Sequence, residues 1–233
     1  MTAKAPASPE AFAYVTQQLL RQVAHDIRSP AGVVQNAIEE LSQRETPEER
    51  AAMMVMANRG VRRLLRLADR LSMVAELQRG VTFDRQPGDL RNLVDTATEH
   101  ALVLQGRRNV VLDRAIGDDA LSLPVDARWL SAATCEVVSN ALRFARSRVQ
   151  VTMRPTEKSV ELVVEDDGPG FPEGFDPGGS FAPREGVQGL GLSLAMAIDV
   201  CKGHAGDLRI HRSTLPPYRA GAAGAAVTLE ISR

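Results

Sequence analysis

The chain has 233 residues, of which 44% are hydrophobic and 24% are charged. This composition is typical of a soluble globular protein with one large or two small domains, and it excludes a wholly disordered chain. The 28 basic and 29 acidic side chains nearly cancel, which gives no electrostatic reason to expect nucleic acid or an anionic membrane as the main partner. No apolar run approaches the roughly 18 residues of a membrane span, so we expect no span in this chain and a cytoplasmic location.

Two long amphipathic helices are predicted in the first 80 residues, and residues 1–10 are expected to be disordered. The first runs from about Pro9 to Arg44, and the second starts at Thr46 and Pro47 and ends near Gly80. Apolar residues recur in alternating steps of three and four, which predicts one narrow seam on each helix. The seam residues are Leu20, Val23, Ile27, Ala31, Val34, Ile38 and Leu41, then Ala57, Val61, Leu64, Ala68, Leu71 and Ala75.

The two helices should form an antiparallel hairpin. Such a hairpin cannot bury both seams well by itself, so we predict that the chain forms a homodimer in which two hairpins make a four-helix bundle. The helical pattern changes near residue 80, and we place a domain boundary there.

Residues 81–233 alternate between helical and extended patterns. Helices are expected near 89–105, 126–146 and 190–202, and strands near 109–114, 148–153, 160–165, 207–211 and 226–231. This mixture predicts an α/β two-layer sandwich. The fold class of the whole chain is therefore α+β and multidomain, with a helical hairpin followed by the sandwich.

The run HDIRSP in the first helix is the first group of residues that suggests chemistry. His25 lies about 200° around the helix from both Val23 and Ile27, so we expect it to point into solvent. Asp26 can accept a proton of the imidazole ring and leave the other nitrogen nucleophilic near neutral pH. Pro30 should bend the helix beside the histidine. An ordinary surface histidine followed by an unrelated proline is the alternative interpretation.

Three further patterns follow in chain order. Glu136 and Asn140 stand four residues apart in a predicted helix, so a carboxylate and an amide oxygen on one face can bind a magnesium ion or its waters. The run DDGPG follows a strand at Asp166, and GLGL opens a helix at Gly189. Glycines at a helix start let phosphate oxygens approach free backbone amides. Turn glycines are common, so the order of the patterns carries more weight than either glycine run alone.

From about Gln17 onward, the chain resembles the histidine kinases of two-component signalling. The phosphoacceptor box is HDIRSP, the N box is EVVSNALRF, the G1 box is DDGPG and the G2 box is GLGLSLA. The resemblance implies a dimerisation and histidine-phosphotransfer hairpin in residues 1–80 and a gyrase-type ATP-binding catalytic domain in residues 81–233. It also implies an autokinase that uses ATP and Mg²⁺, phosphorylates His25 and passes the phosphoryl group to an aspartate of a response regulator.

The same resemblance implies roles for single residues. His25 is the expected phosphoacceptor and Asp26 its acid/base partner. Asn140 is expected to ligate magnesium between the phosphates, and Asp166 to accept a hydrogen bond from the adenine amino group. Arg143 is either a phosphate ligand or an ordinary exposed helix arginine. Gly168 and Gly170 are expected to line the base pocket, and Gly189 and Gly191 to close on the phosphates. Leu190 and Leu192 are the other nucleotide-binding residues expected in the G2 box.

Departures from the family pattern concern the chemistry and the lid. Histidine kinases often carry asparagine at the position of Glu136, whereas gyrase-type relatives use a glutamate there to activate water. Glu136 is therefore a magnesium ligand, a base for ATP hydrolysis, or both. The lid between Gly170 and Gly189 is compact, and Phe175 and Phe181 match the family's phenylalanine box imperfectly.

Two rival functions follow from these departures. One is a phosphotransfer relay module with a degenerate nucleotide-binding domain, which weak nucleotide affinity would indicate. The other is an ATP hydrolase that uses Glu136, which steady phosphate release without a response regulator would indicate. Ser29 stands where phosphatase-competent members have threonine or asparagine, so phosphatase activity toward the partner stays an open question.

Overall fold

A computed structural model describes residues 9–105, 109–117, 121–177, 192–218 and 223–233. The chain divides into two compact units. Of the described residues, the first unit contains 9–78 and Leu192, and the second contains the rest. The disorder predicted for residues 1–10 concerns mostly residues 1–8, which lie outside the described ranges, and it is wrong for Pro9 and Glu10, which begin a helix. In the described ranges, no helix is both long enough and apolar enough to cross a membrane.

The first unit contains a helical hairpin. Helix α1 spans Pro9–Leu41 and helix α2 spans Pro47–Gln78, which confirms both predicted helices. Pro30 is accommodated within α1. The start of α2 is capped by Thr46, whose hydroxyl oxygen accepts a hydrogen bond from the backbone N–H of Glu49 at 3.3 Å. This is the bond that a threonine at the N-cap is expected to make.

The apolar contacts of the hairpin differ from the predicted seams. The helices meet along a neighbouring stripe in which Pro30, Ala37, Gly60 and Leu67 are buried. Several predicted seam residues are exposed instead: Leu20, Ile27, Ile38, Val61, Ala68 and Ala75. The prediction of one seam per helix is therefore wrong. Each helix carries two apolar stripes roughly 90° apart, one facing the other helix and one facing outward.

Gly60 is the point of closest approach between the two helices. A Cβ atom on Gly60 would lie 2.5 Å from Cγ2 of Val34 and 3.0 Å from the carbonyl oxygen of Pro30. A glycine inside a helical pattern lowers helix stability but does not reveal what packs against it. Its role in the hairpin was therefore not predicted from the sequence.

The second unit is built around a five-stranded sheet in the order β2-β4-β5-β7-β6. Strands β2 and β4 are parallel, and the other neighbouring strands are antiparallel. Helices α3 and α4 pack together, and α4 contacts β4 and β5. The predicted sandwich is confirmed. Its elements are β1 (Gln86–Asp89), α3 (Leu90–Gln105), β2 (Val111–Ala115), β3 (Ser122–Val125), α4 (Ala127–Phe144), β4 (Arg148–Pro155), β5 (Ser159–Asp166), α5 (Leu192–Gly203), β6 (Leu208–Arg212) and β7 (Ala225–Ser232).

The core lies between this sheet and its helices. Strand β5 is in the middle of the sheet, and Glu161 is the one residue in it that is not buried. Val149 and Val151 of β4 point inward in alternation, as the period of a strand requires. Burial of each such side chain contributes about 1.5–3 kcal/mol to stability. Because β5 is held on both sides, the residues at its end have a well-defined position.

A small antiparallel sheet formed by β1 and β3 was not predicted. Gln86 pairs with Val125, and Pro87 lies opposite Pro124. Proline cannot donate a hydrogen bond to the ladder, and the alternation in β3 extends over only four residues, which is too short to identify a strand. The pairing therefore depends on long-range contacts that local sequence patterns do not reveal.

Candidate functional site

Helix α4 carries the predicted magnesium-binding pair. Its N-cap is Asp126, whose carboxylate accepts a hydrogen bond from the backbone N–H of Trp129 at 3.3 Å. Residues Val137 and Val138 are buried in the core. Glu136 and Asn140 are half buried and one turn apart, so their oxygen atoms lie on one face at the edge of the core, as the spacing predicts.

Glu136 is held by a serine on another helix. Ser193, in the first turn of α5, donates its hydroxyl hydrogen to Oε2 of Glu136 at 2.6 Å. The bond joins α4 to the start of α5, so Glu136 has a structural role beside its predicted chemical one. Ser193 is absent from the predicted site residues, although it lies within the run GLGLSLA.

The N-terminal end of α4 is fixed by a buried histidine. His204 follows α5 and is fully buried. Its Nδ1 donates a hydrogen bond to the carbonyl oxygen of Val200 at 2.7 Å, and its Nε2 accepts one from the backbone N–H of Asp126 at 2.9 Å. These partners require the neutral ring. The Phe83 ring and the imidazole pack in an edge-to-face arrangement, with centroids 5.4 Å apart.

Acidification should destabilise the second unit through His204. Burial lowers the pKa of His204 below its ordinary value of 6.5, and the charge of nearby Arg85 also lowers it. The hydrogen bond with Val200 and the charge of Asp126 raise this pKa, but by less. The folded protein then binds fewer protons than the unfolded chain, so stability is lost as the pH falls below about 6.5. In urea unfolding followed by Trp129 fluorescence, we expect the free energy of unfolding of His204→Gln to fall less steeply with decreasing pH than that of wild type. If the two free energies fall in parallel, His204 is not the cause of the acid destabilisation.

Arg143 lies in the last turn of α4 and is half buried. Its guanidinium carbon is 5.3 Å from the centroid of the Phe144 ring, a distance at which a cation is attracted to the face of an aromatic ring. The side chain is thus positioned by its neighbour. Its predicted contact with a phosphate remains a prediction.

Asp166 is buried at the end of β5, with 4% of its surface exposed. Its Oδ1 accepts hydrogen bonds from the backbone N–H of Gly168 at 2.8 Å and of Ala225 at 3.5 Å. Burial raises the pKa of Asp166 from 3.8 to about 6, although these two hydrogen bonds lower it. Within the described residues only Oδ1 is engaged, so Oδ2 can accept a hydrogen bond from an amino group such as that of adenine.

Two glycines allow backbone segments to cross beside Asp166. A Cβ atom on Gly168 would lie 2.5 Å from the carbonyl oxygen of Phe144 and 2.7 Å from Oδ1 of Asp166. Gly170 has a φ of +77°, and a Cβ atom there would overlap the carbonyl oxygen of Ala223. Only glycine satisfies both the conformation and the space at Gly170. The glycines of DDGPG are therefore needed for the fold at the edge of the candidate site.

Asp167 stabilises the turn between α4 and β4. Its carboxylate accepts hydrogen bonds from the backbone N–H groups of Arg146, Ser147 and Arg148 at 2.8, 3.0 and 3.2 Å, and from the Ser147 hydroxyl at 2.5 Å. Burial acts to raise the pKa of Asp167, but these hydrogen bonds together lower it below its ordinary value. Asp166 and Asp167 are adjacent in sequence and differ in function, because one faces the candidate site and the other holds a turn.

The remaining G2-box residues are described only in part. Gly189, Leu190 and Gly191 lie outside the described residues, as does Phe181. Leu192 is the first residue of α5 and is buried. Phe175 stacks on Phe171, with centroids 4.8 Å apart and an angle of 17° between the rings.

His25 is presented on the surface of α1, as its position predicts. Its side chain is 75% exposed, and that of Asp26 is 19% exposed. The distance from Nδ1 of His25 to Oδ1 of Asp26 is 3.3 Å, and Gln22 donates a hydrogen bond to the same oxygen at 3.0 Å. A neutral ring that donates from Nδ1 has its lone pair on Nε2, which is then the nucleophilic atom.

Comparisons with known proteins cover both the helical hairpin and the second unit. Residues 125–233 match the family described as histidine kinase-, DNA gyrase B-, and HSP90-like ATPase. The probable sensor histidine kinase TcrY of Mycobacterium tuberculosis is 28% identical over an alignment of 215 residues, which covers 87% of this chain and 44% of that protein. The two-component sensor PhoQ of Pseudomonas aeruginosa is 27% identical over 84% of this chain and 43% of that protein. The chain thus spans less than half the length of these curated relatives.

Solved structures share the fold. The histidine kinase AdeS of Acinetobacter baumannii matches with a TM-score of 0.59 at 16% identity, over 89% of this chain and 97% of that one. Full-length ShkA, in complex with AMPPNP, also has a TM-score of 0.59, at 18% identity over 92% of this chain and 45% of that one. Residues 125–233 therefore match the ATPase family of histidine kinases, gyrase B and HSP90, and the chain as a whole is similar to sensor histidine kinases.

Proposed function

We propose that the chain is an ATP-dependent protein-histidine autokinase that acts in the cytoplasm, phosphorylates His25, and passes the phosphoryl group to an aspartate of a response regulator. The observation that carries this proposal is the exposed pair of His25 and Asp26 in a chain that also contains an ATPase domain. Residues 1–80 supply the phosphoacceptor, and residues 81–233 supply the nucleotide site.

The proposed reaction is an in-line displacement at the γ-phosphorus of ATP. Asp26 accepts the Nδ1 hydrogen of His25 and keeps the lone pair on Nε2. A bond forms between Nε2 and the γ-phosphorus as the bond from phosphorus to the bridging oxygen breaks, and ADP leaves. Positioning accounts for most of the catalysis, because little covalent chemistry is required of the protein.

The adenine end of the nucleotide is assigned to Asp166. The free Oδ2 accepts a hydrogen bond from the amino group, and the close backbone at Gly168 and Gly170 borders the base. Arg143 lies one helix turn from Asn140 and is assigned to the phosphates. The glycines and leucines at 189–192 are proposed to contact the phosphates from the start of α5.

A magnesium ion fits the oxygen atoms of Asn140 and Glu136. Magnesium prefers oxygen ligands and is commonly held by one or two side chains together with phosphates and water. Among the described residues, no group of three or more His, Cys, Asp or Glu side chains is arranged to hold a metal ion, so phosphates and water complete the proposed coordination. When bound, the ion neutralises the negative charge of the phosphates.

Dimerisation is supported by the outward stripe of the hairpin. Leu20 and Leu65 are 63% and 60% exposed, and Ile27, Ile38 and Val61 are also exposed. Apolar residues in a continuous stripe along two helices are typical of a surface that packs against another helix pair. We assign this stripe to the centre of a four-helix bundle formed by two copies of the chain. The rival relay function would require a degenerate nucleotide site, and no observation among the described residues favours it.

Labelling with radioactive ATP tests the autokinase directly. With magnesium present, we expect the chain to acquire a label that is stable to base and lost in acid, because a phosphorus–nitrogen bond hydrolyses when protonated. His25→Gln should remove the label and leave nucleotide affinity unchanged. His211→Gln is the matched control, since His211 is also exposed, and it should label like wild type. A label that persists in His25→Gln would assign the phosphate to another residue.

A further inference from the structure

Arginines are concentrated on one flank of α2. Arg59, Arg62, Arg63, Arg66 and Arg70 lie on one face of the helix, within about 100° of arc around its axis. The first three are exposed, and Arg66 and Arg70 are half buried. We call the exposed residues Arg59, Arg62 and Arg63 the arginine flank.

The charges of the arginine flank are exposed and unpaired. Within the described residues, Arg59, Arg62 and Arg63 form no ion pair. Some other surface arginines do pair with carboxylates of nearby helices or strands, among them Arg44, Arg114, Arg148 and Arg209. The positive charge of the flank is therefore not neutralised within the hairpin, which is typical of a surface that meets an anionic partner.

The arginine flank lies beside His25 along the hairpin. Gly60 packs against Pro30 and Val34. Because the helices are antiparallel and both rise about 1.5 Å per residue, residues 62–66 of α2 lie at the level of residues 24–30 of α1. A group docked on the flank at this level is therefore within reach of His25.

The flank and His25 also share one side of the hairpin. Around α2, the arginines are roughly 110° from the buried stripe and about 150° from the outward apolar stripe. His25 is likewise turned away from both stripes of α1. Since the helices are antiparallel, these directions coincide. Arg21 and Arg28, one turn before and after His25, are exposed on the same side and add two positive charges.

The charges of the proposed transfer explain such a surface. A phosphoryl group carries up to about two negative charges near neutral pH, and the accepting aspartate carries another. Bringing these anions together is unfavourable unless cations lie close by. Arginines around His25 offset this repulsion, and they also increase the rate at which an acidic partner is captured.

We propose that the arginine flank, with Arg21 and Arg28, is the docking surface for a partner protein whose phosphate-accepting aspartate lies within an acidic face. This inference rests on the proposed function and adds the chemistry of the partner to it. Complementary charge, rather than the apolar stripe, then governs the encounter between the hairpin and its partner.

Charge reversal on the flank tests the proposal. The probe is the purified receiver domain to which the phosphorylated wild-type chain transfers fastest among a panel. In the double variant Arg62→Glu, Arg63→Glu, we expect kcat/KM for transfer at low salt to fall on the order of 10-fold or more, with the rate of His25 labelling by ATP unchanged. Added salt should slow wild-type transfer and affect the variant little.

Two control variants separate charge from structure. Arg62→Lys with Arg63→Lys keeps the charge and should keep transfer within about threefold of wild type. Arg212→Glu makes the same charge change at an exposed residue of β6 and should leave transfer unchanged. Matching circular dichroism of all variants shows that the hairpin is folded.

Each other outcome overturns a defined part of the proposal. Equal transfer by the double variant and wild type at low salt would overturn the docking surface and leave the autokinase intact. Slower labelling of His25 in the double variant would assign the flank to the ATP step instead. Binding of the wild-type chain to vesicles with anionic phospholipid, lost in the double variant while transfer is unchanged, would make the flank a membrane contact. No label on the wild-type chain, or no transfer to any receiver domain, would overturn the proposed function and the docking surface with it.

Discussion

Asp166→Asn is expected to stabilise the ligand-free protein and to weaken nucleotide binding. Burial raises the pKa of Asp166 from 3.8 to about 6, so the charged carboxylate is disfavoured in the fold at neutral pH by roughly 2–3 kcal/mol. Asparagine keeps an oxygen that can accept from Gly168 and Ala225 and carries no charge. It loses the carboxylate oxygen assigned to adenine, which should weaken ATP binding on the order of 100-fold.

The pH dependence of stability distinguishes this explanation from improved packing. The folded protein retains a proton on Asp166 at pH values where the unfolded chain has lost it. The contribution to stability is therefore present below about pH 4 and is lost as the pH rises through about 6. Asp166→Asn should remove this decline, so its stabilisation should be small near pH 4 and largest at neutral pH.

Asp167→Asn is the matched control and should have the opposite effect on stability. Its carboxylate accepts hydrogen bonds from Arg146, Ser147 and Arg148, and an amide cannot accept all of them. We expect a loss of about 1–3 kcal/mol. Urea unfolding followed by the fluorescence of Trp129, the one tryptophan of the chain, measures both variants, and calorimetry with ATP measures binding. If Asp166→Asn destabilises the protein as much as Asp167→Asn does, the burial argument is wrong.

Gly60→Leu is expected to disrupt the helical hairpin. Even a Cβ atom at Gly60 would lie 2.5 Å from Val34 and 3.0 Å from a backbone oxygen of Pro30. Val34 is β-branched and has few rotamers to which it can move, and the backbone oxygen is fixed. The helices would have to separate and lose the packing around Ala37 and Leu67. Overpacking of this kind costs about 1–3 kcal/mol, and the result should be a lower melting temperature of the hairpin and slower labelling of His25.

Gly32→Leu is the control within the same hairpin. No atom lies within 4 Å of a Cβ atom built on Gly32. Leucine there should raise stability by about 0.5–1 kcal/mol, because it favours the helix more than glycine does. Far-UV circular dichroism follows the helices of the hairpin, and Trp129 fluorescence follows the second unit. Equal melting temperatures of the helices in Gly60→Leu and Gly32→Leu would contradict the close packing at Gly60.

The long helices and the strands of the second unit were predictable because each has a local signal. Periodicity alone placed α1, α2 and α4 within a few residues of their observed bounds. The small β1–β3 sheet has no such signal, since its four-residue strands contain Pro87, Gly88 and Pro124. Strand pairing between residues 86 and 125 is decided by tertiary contacts.

The hairpin shows a second limit of periodicity. Apolar spacing in α1 and α2 indicates that the helices pack, but two stripes of similar character run along each helix. Which stripe faces inward depends on where the backbones can approach, and that position is set by Gly60 opposite Pro30. The predicted seam mixed residues of both stripes, including the exposed Ile27 and Val61.

Some residues of the candidate site were predicted from the sequence, and others were revealed only by the tertiary structure. The order of the four boxes by itself determined the resemblance to histidine kinases, and that resemblance named Asp166, Asn140 and His25 as site residues. It did not name Ser193 or His204. Their bonds to Glu136 and to the start of α4 cross from one helix to another.

The three carboxylates at the end of β5 show what only the fold decides. In the sequence, Glu165, Asp166 and Asp167 are three adjacent acidic residues with similar chemistry. In the structure all three are buried, and Glu165 accepts a hydrogen bond from the backbone N–H of Thr214 at 2.6 Å while Asp167 holds the turn before β4. Asp166 alone faces the proposed nucleotide. Successive residues of a strand point in opposite directions, and the elements that surround the strand determine what each carboxylate meets.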